Sequence, residues 1–115
     1  MSSESVSFVA QTLVVGDKTF QMPYPVADAF AAAAMVIVLF DPDSALSRFG
    51  QFRNLTAIDP LTGEQVWVAE LPSSTTGDRY YKLASREPLV AYSVKSFVCT
   101  IDPTTGKISE KDFVK

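Results

Sequence analysis

Short apolar segments rich in valine, isoleucine and aromatic residues recur along the chain and predict β-strands. Residues 35–40 (MVIVLF) are continuously apolar, which is typical of a strand buried on both faces. Residues 64–70 (EQVWVAE) and 89–94 (LVAYSV) are also rich in valine and aromatic residues. We therefore expect an all-β protein of roughly eight or nine short antiparallel strands in two or three small twisted sheets. A β-sandwich or a partly open barrel of the same strands is the alternative.

One segment gives conflicting signals. Residues 26–34 include four consecutive alanines, which have high helix propensity, and Pro25 suits the first turn of a helix. The segment also leads directly into the apolar run that starts at Met35. The sequence therefore predicts either a short helix over residues 26–34 or an edge strand followed by a turn.

A turn sequence, Asp-Pro-x-Thr-Gly, occurs twice between strand-like segments, beginning at Asp59 and again at Asp102. The aspartate can accept a hydrogen bond from the backbone two residues on, and proline presets φ for the second turn position. Gly63 and Gly106 are expected to take the positive φ that closes each hairpin. A weaker third tip lies at Gly16, at the same spacing. A period near 40 residues with short strands is typical of propeller blades.

The first copy carries a longer motif: Ala57-x-Asp59-x-x-Thr62-Gly63-x-x-x-Trp67. It resembles the repeat of the quinoprotein-type (PQQ-like) β-propellers, which has the same residue at all five signature positions. The resemblance implies a β-propeller fragment in which Trp67 packs between blades.

The second copy keeps the turn but has Thr100 in place of the alanine and Glu110 in place of the tryptophan. The chain has residues for two or three blades, which cannot close a ring. Enzymes of the family hold pyrroloquinoline quinone through a calcium site and residues of several blades, and no counterpart maps onto this sequence. We therefore expect no cofactor, no metal site and no catalytic residue. The layout looks more like small stand-alone bacterial proteins, some of them toxin-immunity proteins.

Length and composition exclude several kinds of catalytic and metal site. A chain of 115 residues fits a single domain, residues 1–115. The absence of histidine excludes Ser-His-Asp triads, Cys-His dyads and histidine-ligated metals. The lone Cys99 alternates with apolar residues, so we expect a buried side chain rather than a nucleophile. A single thiol, no signal peptide and no apolar stretch of membrane-spanning length predict a cytoplasmic location.

Ten lysines and arginines against 13 aspartates and glutamates give a net charge of −3. No basic run is present, so nucleic acid is a poor partner, and no segment predicts a membrane contact. Incomplete blades leave sheet edges, which predicts either a homodimer joined through edge strands or a monomer with protected edges. Residues 107–115 (KISEKDFVK) are charged enough to protect the C-terminal edge.

Two long connections, residues 41–53 and 71–82, are expected at the end of the sheets opposite the repeated turns. Long loops on a rigid scaffold often carry binding residues, and tyrosine and arginine are enriched in protein interfaces. The candidate partner-binding residues are Asp41, Asp43, Arg48, Asp78, Arg79, Tyr80 and Tyr81, beside Phe49 and Phe52; Asp59, Gly63, Trp67, Asp102 and Gly106 are expected to be structural.

These features predict a non-enzymatic module that binds another protein. The concrete version is an immunity-type protein that occupies the active cleft of a basic toxin. Aspartates would steer the toxin and tyrosines would anchor it. The alternative is a protein or enzyme that binds a small ligand in a pocket between the sheets near Trp67.

Overall fold

A computed structural model of the chain describes residues 5–44 and 51–114. Within these residues the backbone forms eleven β-strands and no helix, so the predicted all-β class is confirmed. The strands are β1 (Val6–Val9), β2 (Thr12–Val15), β3 (Lys18–Gln21), β4 (Val26–Ala32), β5 (Met35–Phe40), β6 (Leu55–Ile58), β7 (Gln65–Val68), β8 (Tyr80–Ser85), β9 (Val90–Ser93), β10 (Phe97–Ile101) and β11 (Ile108–Phe113).

The strands form three small antiparallel sheets in chain order. Sheet 1 has the order β1-β2-β3, sheet 2 the order β4-β5-β6-β7, and sheet 3 the order β11-β10-β9-β8. Within each sheet, every strand therefore pairs with its neighbours in sequence. Because successive strands run in opposite directions, the β5–β6 loop and the β6–β7 turn lie at opposite ends of sheet 2.

Sheet 2 is buried on both faces, which explains the continuously apolar sequence of β5. Val36 and Val38 belong to a core shared with sheet 1. Ile37 and Leu39, which point the other way, belong to a core shared with sheet 3. Sheets 1 and 3 each bury one face, so the three sheets form a layered stack.

The alanine-rich segment is strand β4, so the helix alternative is wrong. Ala32 pairs with Met35 across a two-residue turn in which Ala33 and Ala34 have φ of 52° and 64°. Buried Ala29 and Phe30 pack against the cores on opposite faces of sheet 2. The area that these side chains bury outweighs the helix propensity of alanine.

The structure has more strands than the eight or nine expected from the sequence. β1 was not identified at all, and β8 falls partly in the connection predicted over residues 71–82. Two bulges interrupt the pairing of β8 with β9, which obscures its period-two pattern. The second long connection is therefore shorter than predicted.

The two Asp-Pro-x-Thr-Gly turns have the same geometry. Asp59 Oδ1 accepts from the Leu61 amide at 2.8 Å, and Asp102 Oδ1 accepts from the Thr104 amide at 2.9 Å. Gly63 and Gly106 have φ of 76° and 79°, as the turn sequence predicts. Hydrogen bonds from Thr104 lower the pKa of Asp102, so its carboxylate stays ionised as a turn former.

Each of these glycines lies under an aromatic ring of the preceding sheet. A Cβ atom built on Gly106 would come within 2.5 Å of Trp67, and one on Gly63 within 2.5 Å of Phe20. Trp67 Nε1 also donates to Pro103 O at 3.0 Å. Trp67 is buried between sheets 2 and 3 and is a structural residue.

Candidate functional site

The two long connections lie side by side at one end of sheets 2 and 3. Gln51 donates from its side chain to Ser73 O, and the Phe52 amide donates to Asp78 O at 3.1 Å. Arg79 Nη2 lies 3.5 Å from Asp43 Oδ1 across the two loops. We call this surface, residues 41–44, 51–54 and 71–79, the loop end.

The loop end rests on Asn54, a fully buried amide that sequence reasoning missed. Its Nδ2 donates to Phe40 O at 2.9 Å and to Tyr80 O at 2.7 Å, and its Oδ1 accepts from the Tyr80 amide at 2.9 Å. Because one side chain bonds to β5 and to β8, it ties sheet 2 to sheet 3. An isolated Asn-Leu-Thr sequence offers no signal for this role, since the bonds span 14 and 26 residues.

Two predicted binding residues are inside the protein. Tyr80 is completely buried in the core between sheets 2 and 3, and its hydroxyl donates to Glu70 O. Asp78 is completely buried and accepts from Ser73 Oγ at 2.8 Å and from the Arg79 amide at 2.9 Å. Neither side chain offers surface to a partner, so both predictions are corrected: Tyr80 packs the core and Asp78 braces the β7–β8 loop.

The remaining predicted residues divide by exposure. Asp43 is exposed, whereas Asp41 is half-buried and its carboxylate accepts from the Asp43 amide at 2.9 Å. Arg79 is half-buried and donates to Gly77 O at 2.7 Å, so it is partly committed to its own loop. Arg48 and Phe49 lie outside the described residues. Phe52 is buried against Tyr24, with ring centroids 4.8 Å apart.

Tyr81 is the predicted aromatic residue that the structure leaves exposed to a partner. It is 46% exposed and stacks on Tyr92 with a centroid distance of 6.0 Å. Both rings line a small groove of about 180 Å³ together with Phe97. Phe113 packs edge-on against Phe97 and is 63% exposed. We call Tyr81, Tyr92, Phe97 and Phe113 the aromatic patch.

The aromatic patch adjoins the loop end. The Val94 amide donates to Arg79 O at 2.9 Å, which joins the β9–β10 turn to the last residue of the β7–β8 loop. Lys82 Nζ lies 5.8 Å from the centroid of Tyr92, and Lys111 Nζ lies 5.5 Å from that of Phe97. Exposed aromatic rings flanked by charges are typical of protein interfaces. Tyr92 and Phe113 were missed because single aromatics in short strands carry no pattern of their own.

Two titratable side chains, Tyr80 and Cys99, are packed in the core between sheets 2 and 3. Burial raises the pKa of the Cys99 thiol, and burial beside Cys99 raises the pKa of Tyr80. Both groups stay protonated at neutral pH, so Cys99 lacks the thiolate that a nucleophile needs. Among residues 5–44 and 51–114, no group of three or more acidic or cysteine side chains is placed to hold a metal ion.

A second concave surface lies at the other end of sheets 2 and 3. It is an open groove of about 900 Å³ lined by β4, the β8–β9 turn and the β10–β11 turn. Trp67 does not line it, but Trp67 Nε1 donates to the carbonyl of Pro103, which does. In the part of the chain that the structure describes, no helix is long and apolar enough to cross a membrane.

Comparison with known proteins gives a family and nothing more. The family described as a domain of unknown function, DUF7957, matches residues 3–113, which is nearly the whole chain. The chain belongs to the DUF7957 family. Neither the curated proteins nor the solved structures yield a match.

Proposed function

We propose that this DUF7957 protein is a non-enzymatic module that binds another protein through its loop end and aromatic patch. The observation that carries the proposal is the position of Tyr81, a half-exposed ring stacked on Tyr92 beside two mutually braced loops. Stacking fixes the ring before a partner arrives, so little side-chain entropy is lost on binding. Such preorganised aromatic residues are typical interface anchors.

The net charge of the whole chain, rather than the aromatic patch with its flanking Lys82 and Lys111, favours a basic partner. The chain carries a net charge of −3, and Asp43 has a side chain that is 83% exposed on the loop end. Its ion pair with the half-buried Arg79 is 3.5 Å long and open to solvent on the Asp43 side, so it is worth little and can be exchanged for a pair with a partner. The concrete version of the proposal is an immunity-type protein that covers the cleft of a basic toxin in the cytoplasm. The electrostatic attraction that steers the toxin to this protein would weaken as the salt concentration rises.

The test is capture of the partner from the native host with matched variants. The wild-type chain is expected to retain a basic protein, and Tyr81→Ala is expected to lose most of it, because truncation of a hot-spot tyrosine costs roughly 2 kcal/mol or more. Leu61→Ala is the control: Leu61 is 68% exposed but lies in the β6–β7 turn, at the opposite end of sheet 2. Equal retention by Tyr81→Ala and wild type would contradict the proposal.

Gene order provides an independent test of the immunity version. A toxin gene directly upstream supports it, whereas a metabolic operon favours a small-ligand function. The 900 Å³ groove is the specific observation behind that second candidate. A small molecule that raises the melting temperature, with no protein retained by the wild-type chain, would replace the docking proposal with the ligand proposal.

A further inference from the structure

The three sheets stack by one repeated relationship. Phe20, which follows Gly16 of its own turn by four residues, lies over Gly63 of sheet 2. Trp67, which follows Gly63 by four residues, lies over Gly106 of sheet 3 in the same way. Each sheet therefore has a forward face, which packs onto the following sheet, and a rear face, which receives the preceding one. Among residues 5–44 and 51–114, the forward face of sheet 3 and the rear face of sheet 1 meet no other sheet.

The forward face of sheet 3 has an apolar centre although no sheet covers it. On the two middle strands of sheet 2, the residues that pack onto sheet 3 are Ile37, Leu39, Leu55 and Ala57. Counted back from the turn glycine and across the strand pairs, the residues at the same positions of sheet 3 are Val90, Tyr92, Val98 and Thr100. None of these four is charged, and all four are half-buried. Sheet 3 therefore keeps the kind of surface that sheet 2 buries.

The rear face of sheet 1 is a matching surface. It lies opposite the face that buries Leu13 and Val15 against sheet 2. Val9, on this face, is 77% exposed. The residues of the face, none of them charged, are Ser7, Val9, Thr12, Val14, Thr19 and Gln21. An uncharged sheet face of this kind suits packing against another sheet.

The outer strand of sheet 3 differs from that of sheet 2 in charge. Glu110 follows the turn glycine of sheet 3 by four residues, so it takes the place that Trp67 has in sheet 2. The stacking relationship would put Glu110 over Gly16 of a sheet 1 that followed. Exposed Lys18 beside that turn offers the carboxylate a partner, and exposed Asp17 limits what the ion pair is worth. The outer strand therefore tolerates the contact and adds little to it.

We propose that the forward face of sheet 3 packs onto the rear face of sheet 1 in a second copy of this chain, as sheet 2 packs onto sheet 3. Each copy offers both faces, so a closed pair forms the contact twice. One contact covers roughly 14 Å by 14 Å, from the spacing and rise of strands. That area is small beside the ~800 Å² per partner of a stable complex. We therefore expect a weak pair that dissociates in the micromolar range.

The contact does not rest on the proposed function. It covers Tyr92, which belongs to the aromatic patch, and it leaves the loop end uncovered. A second copy and a captured partner are therefore expected to compete for the forward face of sheet 3. Self-association is measured with the purified chain alone, so its failure would leave the docking proposal standing.

Sedimentation velocity of the full chain over rising protein concentration is the assay. Val9→Lys charges the rear face of sheet 1, and Val98→Glu charges the forward face of sheet 3. We expect wild type to reach the mass of a pair at high micromolar concentration, and each variant to associate at least about tenfold more weakly, because a charge in an apolar contact loses its hydration. The matched control is Val66→Lys, since Val66 is 52% exposed on β7, outside both faces. It should pair as wild type does.

Mixing the two variants identifies the faces that meet. An equal mixture of Val9→Lys and Val98→Glu should form pairs again, because one contact joins two unchanged faces and the other joins opposite charges. If Val98→Glu does not fold, Thr100→Glu puts the same charge on the same face. The proposal is overturned if wild type stays monomeric at high micromolar concentration or grows beyond a pair. It is also overturned if only one of the two variants weakens association, or if the mixture of folded variants stays monomeric.

Discussion

A single methyl group at Gly106 should destabilise the fold far more than the same group at Gly77. Both glycines have left-handed backbones, with φ of 79° and 87°. Alanine at either position costs about 1–2 kcal/mol for that conformation alone. A Cβ on Gly77 would meet no atom within 4 Å, so Gly77→Ala should cost about that much and no more.

At Gly106 the new methyl group meets a buried ring. Its Cβ would lie 2.5 Å from Trp67 Cε3 and 2.7 Å from Cδ2, so the indole must move. Overpacking of this kind costs about 1–3 kcal/mol, and loss of the Nε1 bond to Pro103 O adds about 1 kcal/mol. We therefore expect Gly106→Ala to cost about 3–6 kcal/mol.

Urea unfolding measures the difference directly, because Trp67 is the single tryptophan of the chain and reports through its own fluorescence. A gap of about 2 kcal/mol corresponds to a difference of roughly 8 °C in melting temperature. A double-mutant cycle identifies the cause: in a Trp67→Leu background, followed by circular dichroism, the extra cost of Gly106→Ala should disappear. Equal destabilisation by Gly106→Ala and Gly77→Ala would refute the reasoning.

Three further predictions follow from the described contacts. Ala33→Asn combined with Ala34→Gly should stabilise the fold by about 1–2 kcal/mol, because both positions have positive φ; an unchanged urea midpoint would count against this. Asn54→Ala should cost about 3 kcal/mol or more, because it leaves buried backbone groups without partners; a loss under about 1 kcal/mol in urea unfolding would show that the tie between sheets is dispensable. Burial raises the pKa of Cys99 above the ordinary 9.0, so stability should be intact below that pH and fall as pH rises past it, while Cys99→Ala should flatten this slope; the same slope in both proteins would contradict the assignment.

The sequence was most informative where the residues that determine a structural element lie within one short segment. The Asp-Pro-x-Thr-Gly turns were predictable because aspartate, proline and glycine act within five residues, and both glycines have the expected positive φ. The burial of β5 on both faces was also predictable from its continuous apolar run. The resemblance to propeller blades remains a prediction about the relationship of the sheets.

The incorrect predictions concern segments whose structure is determined by contacts with residues far away in the sequence. The alanines of β4 favour a helix locally, but Phe30 and Ala29 bury themselves against two different sheets. Tyr80 and Tyr81 are adjacent and chemically alike, yet one is buried and the other exposed because strand neighbours point to opposite faces. Which of the two tyrosines faces the core depends on the bulges in β8, and the local sequence does not reveal those bulges.

Hydrogen exchange of the chain, free and in complex with the protein it captures, tests the docking proposal most directly. We expect the partner to slow amide exchange in residues 71–81 and 92–97, which cover the β7–β8 loop and most of the aromatic patch. Exchange in the β6–β7 turn, residues 59–63, should not change. Slowed exchange in β4 or in that turn, with no change in residues 71–81, would contradict the assignment of the loop end as the docking surface.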